Sequence, residues 1–408
     1  MSDWTEILDS LTRDIRKDVR DTARAVRAVL KDEPYEVLTY RGYGNSQRAF
    51  VVGRVVEKRG IGASTDGDST LTNLLNTYRR VDSDPAPFAD LSIEYRDVTS
   101  PMKSDDEGFF SDWIDAPGAK PADKEWVAYD ASLLAPRPAG TDSVKTSGEV
   151  LVPPASARLC IISDIDDTVI QSRVSNFLQA AKTVMLGNAR TRLPFPGVSA
   201  FYEALRNGAT GDEKNPVFYV SSSPWNIYDV ISEFMDIQKM PKGPLLLRDW
   251  DIGFSALSSA RHFEHKGVAI SNIMQLYPDL KFILIGDSSQ QDPEIYRQTV
   301  KDYPHRVVAI YVRDVNHDAE RSAAIARLAD EVIASHSALV LCEHTLDAAK
   351  HAVERGWIRA DALAGIGVEK RADEGFDDSK VAAPDGGERG EGTSPTVVDE
   401  ASRPSASP

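Results

Sequence analysis

The chain of 408 residues carries 63 acidic and 47 basic side chains, which gives a formal net charge of −16, and 41% of its residues are hydrophobic. This length predicts more than one structural unit, because a single hydrophobic core rarely grows beyond about 250 to 300 residues. The acidic balance argues against a nucleic-acid-binding protein, which needs a basic surface. No apolar run reaches the roughly 18 to 20 residues of a membrane-spanning helix.

The compartment is predicted from the start of the chain and from the cysteines. Residues 2–4 introduce no apolar signal-peptide core, and the two cysteines, Cys160 and Cys342, lie inside apolar runs. Thiols in such runs are expected to be buried and reduced. We therefore expect a cytoplasmic protein, with peripheral membrane contact as a possibility raised by its first helix.

Residues 1–33 are predicted to form one amphipathic helix that ends before Pro34. Its apolar side chains recur at helical spacing: Trp4, Leu8, Leu11, Ile15, Val19, Val26 and Leu30. Between Arg13 and Lys31, seven basic residues stand against three acidic ones, so the helix could lie on an anionic membrane surface. It could also pack its apolar stripe on the rest of the protein, and this alternative is the favoured one.

Residues 36–155 change to short extended runs, which predict a smaller β-sandwich-like domain. Six runs have strand character: Glu36–Tyr40, Ala49–Glu57, Leu91–Tyr95, Gly108–Trp113, Glu125–Tyr129 and Val144–Val152. A helical piece over residues 71–80 interrupts them. Catalytic residue types do not cluster in this part of the sequence, so no chemistry is assigned to it.

Residues 157–366 alternate near-continuous apolar strands with helices, which predicts an α/β domain built on a doubly wound parallel sheet. The expected strands cover residues 158–163, 217–220, 244–247, 282–286 and 307–312. The expected helices cover residues 225–236, 267–276, 293–303 and 341–357. Residues 369–408 hold ten acidic and five basic residues, are rich in Gly, Ser and Pro, and predict a disordered tail.

Polar residues stand at the ends of these strands, where an open parallel sheet binds its ligands. Asp164 and Asp166 follow the first strand, Ser221 follows the second, Lys266 is expected to open a helix, and Asp287 follows a later strand. Because Asp164 and Asp166 are two residues apart, one turn can place both carboxylates in the same pocket. The four loops that carry these five residues predict a single constellation at one edge of the sheet.

This set of residues fits phosphoryl transfer. Asp164 would attack phosphorus and form an acyl phosphate, while Asp166 would protonate the leaving oxygen and later deprotonate the hydrolytic water. A cation is needed where two anions meet, and Mg²⁺ suits a site of few carboxylates, phosphate oxygens and water. Asp164, Asp287 and the carbonyl of Asp166 would hold the ion. Ser221 and Lys266 would bind the phosphoryl oxygens.

Asp292 and Arg248 keep two interpretations each. Asp292 could complete the metal site, or it could cap the helix expected to begin at Pro293. Arg248 could bind a substrate phosphate with two hydrogen bonds, or form an ordinary ion pair. Ser222 and Ser223 are candidates for substrate binding beside Ser221. The pair His262 and His265 lacks a further ligand at metal-binding spacing, so packing or hydrogen bonding is favoured for both.

Together, the motifs resemble the haloacid dehalogenase superfamily, with Asp-x-Asp-x-Thr ending at Thr168 and Gly-Asp-x-x-x-x-Asp ending at Asp292. More narrowly, residues 158–315 resemble the catalytic domain of the fungal actin-patch-associated phosphatidate phosphatases and their bacterial relatives. The resembling runs include RLPFPGV at 192–198, YVSSSPWN at 219–226, GPLLLRDW at 243–250 and LIGDSSQQDPEIY at 284–296. Two positions depart from the pattern: Ser289 stands where many members have Gly, and Ser222 where some have Asn.

The resemblance implies a haloacid-dehalogenase-like Rossmannoid fold and Mg²⁺-dependent hydrolysis of phosphatidate to diacylglycerol, with Thr168 in the catalytic set beside Asp164. Two other functions stay open: a phosphatase for a soluble phosphomonoester or phosphoprotein, and a phosphatidate-binding module without catalysis. Asp166 favours the enzyme, because a binding module needs no general acid. The segments between the motifs are too short for a large closed cap, and an open site suits a phospholipid headgroup.

Overall fold

The computed structural model describes residues 35–58, 84–117, 124–136, 144–165, 168–169, 197–248, 259–315, 318–378 and 397–398. The chain divides into two compact units between Val152 and Pro153. The helices predicted over residues 1–33 and 71–80 lie outside the described residues. None of the helices within the described ranges combines the length and the apolar character that crossing a membrane requires.

Within the described residues, the first unit is built on one mixed sheet of eight strands. These are β1 (Tyr35–Thr39), β2 (Gly42–Gly44), β3 (Arg48–Glu57), β4 (Asp90–Tyr95), β5 (Val98–Lys103), β6 (Phe109–Asp115), β7 (Trp126–Ala135) and β8 (Lys145–Leu151). The strand order is β1-β3-β2-β8-β7-β4-β5, with β6 on β3. All six predicted extended runs are strands. The sequence missed β2, which has three residues, and β5, which has no buried side chain.

The strands of this unit, for which the sequence predicts a β-sandwich-like domain, are connected in one sheet. The reason is β3, which pairs with β6 along one edge and with β1 and β2 along the other. The two end strands, β5 and β6, contact each other, so the sheet curls around its own apolar side chains. That core includes Val51, Leu91, Ile93, Phe110 and Tyr129.

Seven strands are found in the described part of the second unit: β9 (Leu159–Asp164), β10 (Val217–Pro224), β11 (Leu245–Arg248), β12 (Lys281–Asp287), β13 (Val307–Arg313), β14 (Ala338–Cys342) and β15 (Val397–Val398). Its helices are α1 (Val198–Asn207), α2 (Tyr228–Ile237), α3 (Ser259–Leu276), α4 (Asp292–Asp302), α5 (Ala319–Ile333), α6 (Thr345–Glu354) and α7 (Ala362–Asp378). The prediction of an α/β unit with a parallel sheet is confirmed.

The strand order of this sheet is β11-β10-β9-β12-β13-β14-β15, and only the β14–β15 pair is antiparallel. After β9, the chain adds β10 and then β11 on one side of that strand. It then adds β12, β13 and β14 in turn on the other side. Every residue of β9 and all but the first of β12 are buried. The order therefore reverses between two buried central strands, and such a reversal leaves a crevice beyond their carboxyl ends.

Three sequence-based boundaries in this unit are wrong. Helix α3 begins at Ser259 rather than Gly267, so Lys266 lies inside the helix and does not open it. Residues 338–342 are the buried strand β14, and the helix expected from residue 341 begins at Thr345. Helix α7 continues to Asp378, beyond the predicted start of the tail at residue 369, and its Glu369 accepts a 2.8 Å hydrogen bond from the Ala200 backbone N–H of α1.

The two cysteines are buried free thiols, as the sequence predicted. Cys160 lies in β9 and Cys342 ends β14. Burial raises the pKa of both thiols, that of Cys342 to about 12. Both therefore stay protonated near neutral pH and act as small apolar side chains.

Candidate active site

The strand register brings three of the predicted residues to the reversal point of the sheet. Asp164 is the last residue of β9, and its partner in β10 is Val220, so Ser221 follows one residue beyond. In β12, Ile285 pairs with Ser163, which places Asp287 one step past the level of Asp164. The side chains of Asp164, Ser221 and Asp287 are all buried.

Lys266 reaches this cluster from α3. Its ammonium nitrogen Nζ lies 2.8 Å from Oδ1 of Asp164 and 2.6 Å from Oδ1 of Asp292, and only 3% of the residue is exposed. Burial disfavours the charge, but the carboxylates of Asp164 and Asp292 outweigh burial and raise the pKa of Lys266. The lysine is therefore a permanent cation that binds two carboxylates from separate elements.

Asp287 shapes the loop that joins β12 to α4. Its Oδ1 atom accepts hydrogen bonds from the backbone N–H groups of Ser289, at 2.6 Å, and Gln290, at 3.1 Å, and from the Ser289 hydroxyl. Its Oδ2 atom is buried and has no hydrogen-bond partner within the described ranges. One oxygen thus fixes the loop, and the other is available to a ligand.

Asp164, Asp287 and Asp292 form a candidate metal site. One carboxylate oxygen of each lies within 4.8 Å of those of the other two. Lys266 supplies one positive charge against these three carboxylates, so negative charges outnumber positive ones within this cluster of four side chains. Burial and the neighbouring charge of Asp292 raise the pKa of Asp287 to about 6. An all-oxygen donor set with an unused buried oxygen and excess negative charge fits Mg²⁺.

Asp292 lies in the first turn of α4 and does not cap it, so the capping alternative is wrong. Its Oδ1 atom accepts the hydrogen bond from Lys266, and its Oδ2 atom accepts one of 3.3 Å from the Asp287 backbone N–H. This position requires Gly286, because a Cβ atom there would lie 2.5 Å from Oδ2 of Asp292. The carboxylate of this first residue of α4 is therefore turned back toward β12.

The structure gives fewer contacts for the other residues that the sequence predicted for the site. The Ser221 hydroxyl oxygen accepts a 3.0 Å hydrogen bond from the Ser223 backbone N–H, and Ser222 and Ser223 are half-buried. Thr168 is buried. Arg248 ends β11, two strands away from β9, and no ion pair to another described residue is found for it. Asp166 and the side chains of residues 262 and 265 lie outside the described residues.

Sequence reasoning missed Arg321, which supports the loop between β12 and α4 from helix α5. Its guanidinium donates hydrogen bonds to the backbone carbonyl oxygens of Ser288, at 2.8 Å, and Gln290, at 2.6 Å. Backbone acceptors leave no residue-type signature, and α5 was not among the predicted helices. The sequence therefore carries no signal for this contact.

Comparison with known proteins finds a family model that matches part of the α/β unit. Residues 159–314 match the model described as Phosphatidate phosphatase APP1, catalytic domain. The Phosphatidate phosphatase APP1 of Saccharomyces cerevisiae is 30% identical over 154 residues, which are 38% of this chain and 25% of that protein. An uncharacterized protein of Schizosaccharomyces pombe is 31% identical over 163 residues, 39% of this chain and 26% of that protein. The matched region spans about a quarter of the length of these relatives, and the family resemblance predicted from the motifs is confirmed for it.

Similarity to solved structures is weak. A carbohydrate acetylesterase from Xanthomonas citri covers 71% of this chain at 11% identity with a TM-score of 0.22. A beta-glucuronidase from Parabacteroides merdae covers 76% of this chain and 33% of its own, at 7% identity and a TM-score of 0.22. TM-scores this low do not indicate a shared fold.

The substitution Gly286→Ala should lower the free energy of unfolding by about 1 to 3 kcal/mol, because the added methyl group overlaps the Asp292 carboxylate. Urea unfolding of the two proteins measures the change. Gly267→Ala is the matched control, because no atom lies within 4 Å of the added Cβ, and it should be neutral or stabilising within α3. Equal stability of the Gly286→Ala and wild-type proteins would contradict this packing.

Asp287→Asn should stabilise the metal-free protein, because the folded state penalises the Asp287 charge that the amide lacks. A rise of the pKa from 3.8 to about 6 corresponds to an increase of about 1 to 3 kcal/mol in the free energy of unfolding near pH 7.5. Asp292→Asn should have the opposite effect, since Lys266 loses one of two ion pairs. Calorimetry in EDTA measures both, and a lower melting temperature for Asp287→Asn would refute the charge argument.

Proposed function

We propose that this protein is a Mg²⁺-dependent phosphomonoesterase of the haloacid dehalogenase type that hydrolyses phosphatidate to diacylglycerol and phosphate. The observation that carries the proposal is the buried cluster at the reversal point of the sheet, where Asp164 lies 2.8 Å from Lys266 and beside two further carboxylates. The strand order β11-β10-β9-β12-β13-β14 is the order of a doubly wound sheet, which supports the same assignment.

In the proposed reaction, Asp164 is the nucleophile. One of its carboxylate oxygens attacks phosphorus, the bond from phosphorus to the alcohol oxygen breaks, and the leaving oxygen takes a proton from Asp166. Asp166 then removes a proton from water, which attacks phosphorus, and the bond between phosphorus and Asp164 breaks. Inorganic phosphate leaves, and both carboxyl groups return to their starting states. The role of Asp166 rests on its position two residues after Asp164.

Lys266 prepares Asp164 for this attack. The 2.8 Å contact holds one carboxylate oxygen in place, and the buried ammonium offsets part of the negative charge that the phosphate adds. Ser221 lies in β10, the strand next to β9, and its hydroxyl oxygen accepts a hydrogen bond from the Ser223 backbone N–H. It is the proposed donor to a phosphoryl oxygen, with Ser222 and Ser223 beside it and Arg248 as a candidate for the outer part of the substrate.

Mg²⁺ would be held by Asp164 and by Oδ2 of Asp287, together with the Asp166 carbonyl. When bound, the ion offsets the negative charge that the nucleophile and the phosphate bring together. Asp292 fits an orienting role better than a direct one, because both of its oxygens accept hydrogen bonds from Lys266 and from Asp287. It would hold the lysine and the loop in place around the ion.

The substrate is proposed from the comparison. The relative that carries the matching domain is named a phosphatidate phosphatase, and the matched residues 159–314 include Asp164, Ser221, Lys266 and Asp287. A membrane lipid substrate requires the protein to meet a lipid surface, so we also propose peripheral membrane contact for a cytoplasmic enzyme.

Phosphate release from phosphatidate in mixed micelles and from soluble phosphomonoesters, with Mg²⁺ or with EDTA, tests the proposal. Release from phosphatidate should require Mg²⁺. Asp164→Asn should reduce it at least about a thousandfold, a barrier increase of about 4 kcal/mol, because an amide of the same shape cannot attack phosphorus. Asp302→Asn, which changes an exposed aspartate at the end of α4, is the control and should keep full activity.

Each arm of this experiment tests one part of the proposal. Release from soluble esters alone would refute the lipid substrate and keep the chemistry. Full activity in EDTA would refute the metal requirement. Turnover by Asp164→Asn within about tenfold of wild type, a barrier change of about 1.4 kcal/mol, would rule out Asp164 as the nucleophile.

A further inference from the structure

The loop of residues 287–291 carries Asp287, the carboxylate proposed to hold the ion, and one peptide group fixes that carboxylate. The Ser289 N–H of this group donates to Oδ1 of Asp287 at 2.6 Å. The Ser288 carbonyl of the same group accepts a 2.8 Å hydrogen bond from Nε of Arg321. Because both polar ends belong to one rigid plane, the bond to Arg321 also aims the N–H at Asp287.

The guanidinium of Arg321 makes further contacts that fix its own orientation. Its Nη2 atom donates to the Gln290 carbonyl at 2.6 Å, and the group pairs with both carboxylate oxygens of Glu294 in the first turn of α4. The hydrogen bonds and charge of this pair raise the pKa of Arg321, while burial opposes the shift. A planar guanidinium with this many bonds has a fixed position, which an ammonium cannot reproduce.

Further hydrogen bonds at the start of helix α5 hold this helix, and with it Arg321, against the loop. The helix is capped by Asp318, whose carboxylate accepts from the Arg321 backbone N–H at 2.9 Å. Asp314, just before the helix, accepts hydrogen bonds from the hydroxyls of Ser288, at 3.3 Å, and Ser322, at 3.2 Å. The start of α5 is thus tied to the loop through both Arg321 and Asp314.

We propose that Arg321 is a positioning residue for the cation site, which holds the Ser288–Ser289 peptide so that Asp287 keeps Oδ2 available to a divalent cation. The inference rests on the proposed function, since it assigns Arg321 to the same site. Arg321 acts through the loop and not on the substrate. Its loss therefore weakens the binding of Mg²⁺ and leaves turnover at saturating Mg²⁺ nearly unchanged.

Titration calorimetry of the full-length protein with Mg²⁺ tests this. Arg321→Gln should raise the dissociation constant for Mg²⁺ about 10- to 100-fold, the usual effect of removing an outer partner of a metal ligand. Arg321→Lys should restore only part of the Mg²⁺ affinity, because the lysine keeps the positive charge but cannot make the several hydrogen bonds of the planar guanidinium. Arg327→Gln removes an exposed arginine from the same helix and should leave the dissociation constant unchanged.

Glu294→Gln is the second variant, because it weakens the ion pair that orients the Arg321 guanidinium while Arg321 itself remains. It should weaken Mg²⁺ binding less than Arg321→Gln does. Melting temperatures in EDTA identify any variant that does not fold. In phosphate-release assays, the Mg²⁺ concentration for half-maximal rate should rise for Arg321→Gln, with less than about a threefold fall in kcat.

Two results would overturn the inference: Mg²⁺ affinity of folded Arg321→Gln within twofold of wild type, or a loss of kcat at unchanged affinity. Failure of the proposed function gives a different result. If the wild-type protein binds no Mg²⁺, the metal site itself is refuted, and Arg321 has no ion to position. If it binds Mg²⁺ and releases no phosphate, the phosphatase assignment is refuted while the calorimetric comparison still decides the role of Arg321.

Discussion

The double ion pair of Lys266 is the interaction on which the rest of the site depends. Asp164 and Asp292 belong to a strand and a helix that are far apart in sequence, and the same ammonium lies within 2.8 Å of both. Burying a carboxylate without a partner costs several kcal/mol, and this site buries three of them side by side. Lys266 compensates part of that charge, and the proposed Mg²⁺ would offset a further part of it.

The parallel sheet determines where these charges meet. Strands β9 and β12 are adjacent, buried and in a register that leaves Asp164 and Asp287 one residue apart in height. Uncharged groups then fix the orientation of the carboxylates. Gly286 gives Asp292 room to turn back, and the N–H groups of Ser289 and Gln290 hold one oxygen of Asp287. Small shifts of this loop would move a carboxylate away from the cluster, which is why its outside support by Arg321 matters.

The sequence predicted the strand ends well because a buried parallel strand is an apolar run, and a polar residue directly after it stands out. Asp164, Ser221 and Asp287 were located in this way. The start of helix α3 was not, because Gly267 resembles a helix boundary, although it lies inside the helix and no atom lies within 4 Å of a Cβ added there. The role of Asp292 was undecided, since an aspartate before Pro293 suits a cap and a ligand alike, and only Lys266 and Gly286 resolve it.

In the proposed reaction, Asp164 carries the phosphoryl group during turnover. Acid quenching of the protein during hydrolysis of phosphatidate labelled in its phosphate, followed by peptide mapping, tests this step. We expect a hydroxylamine-sensitive label confined to the peptide that contains Asp164. A label on Ser221 or on any other residue, or turnover without a label at Asp164, would contradict it.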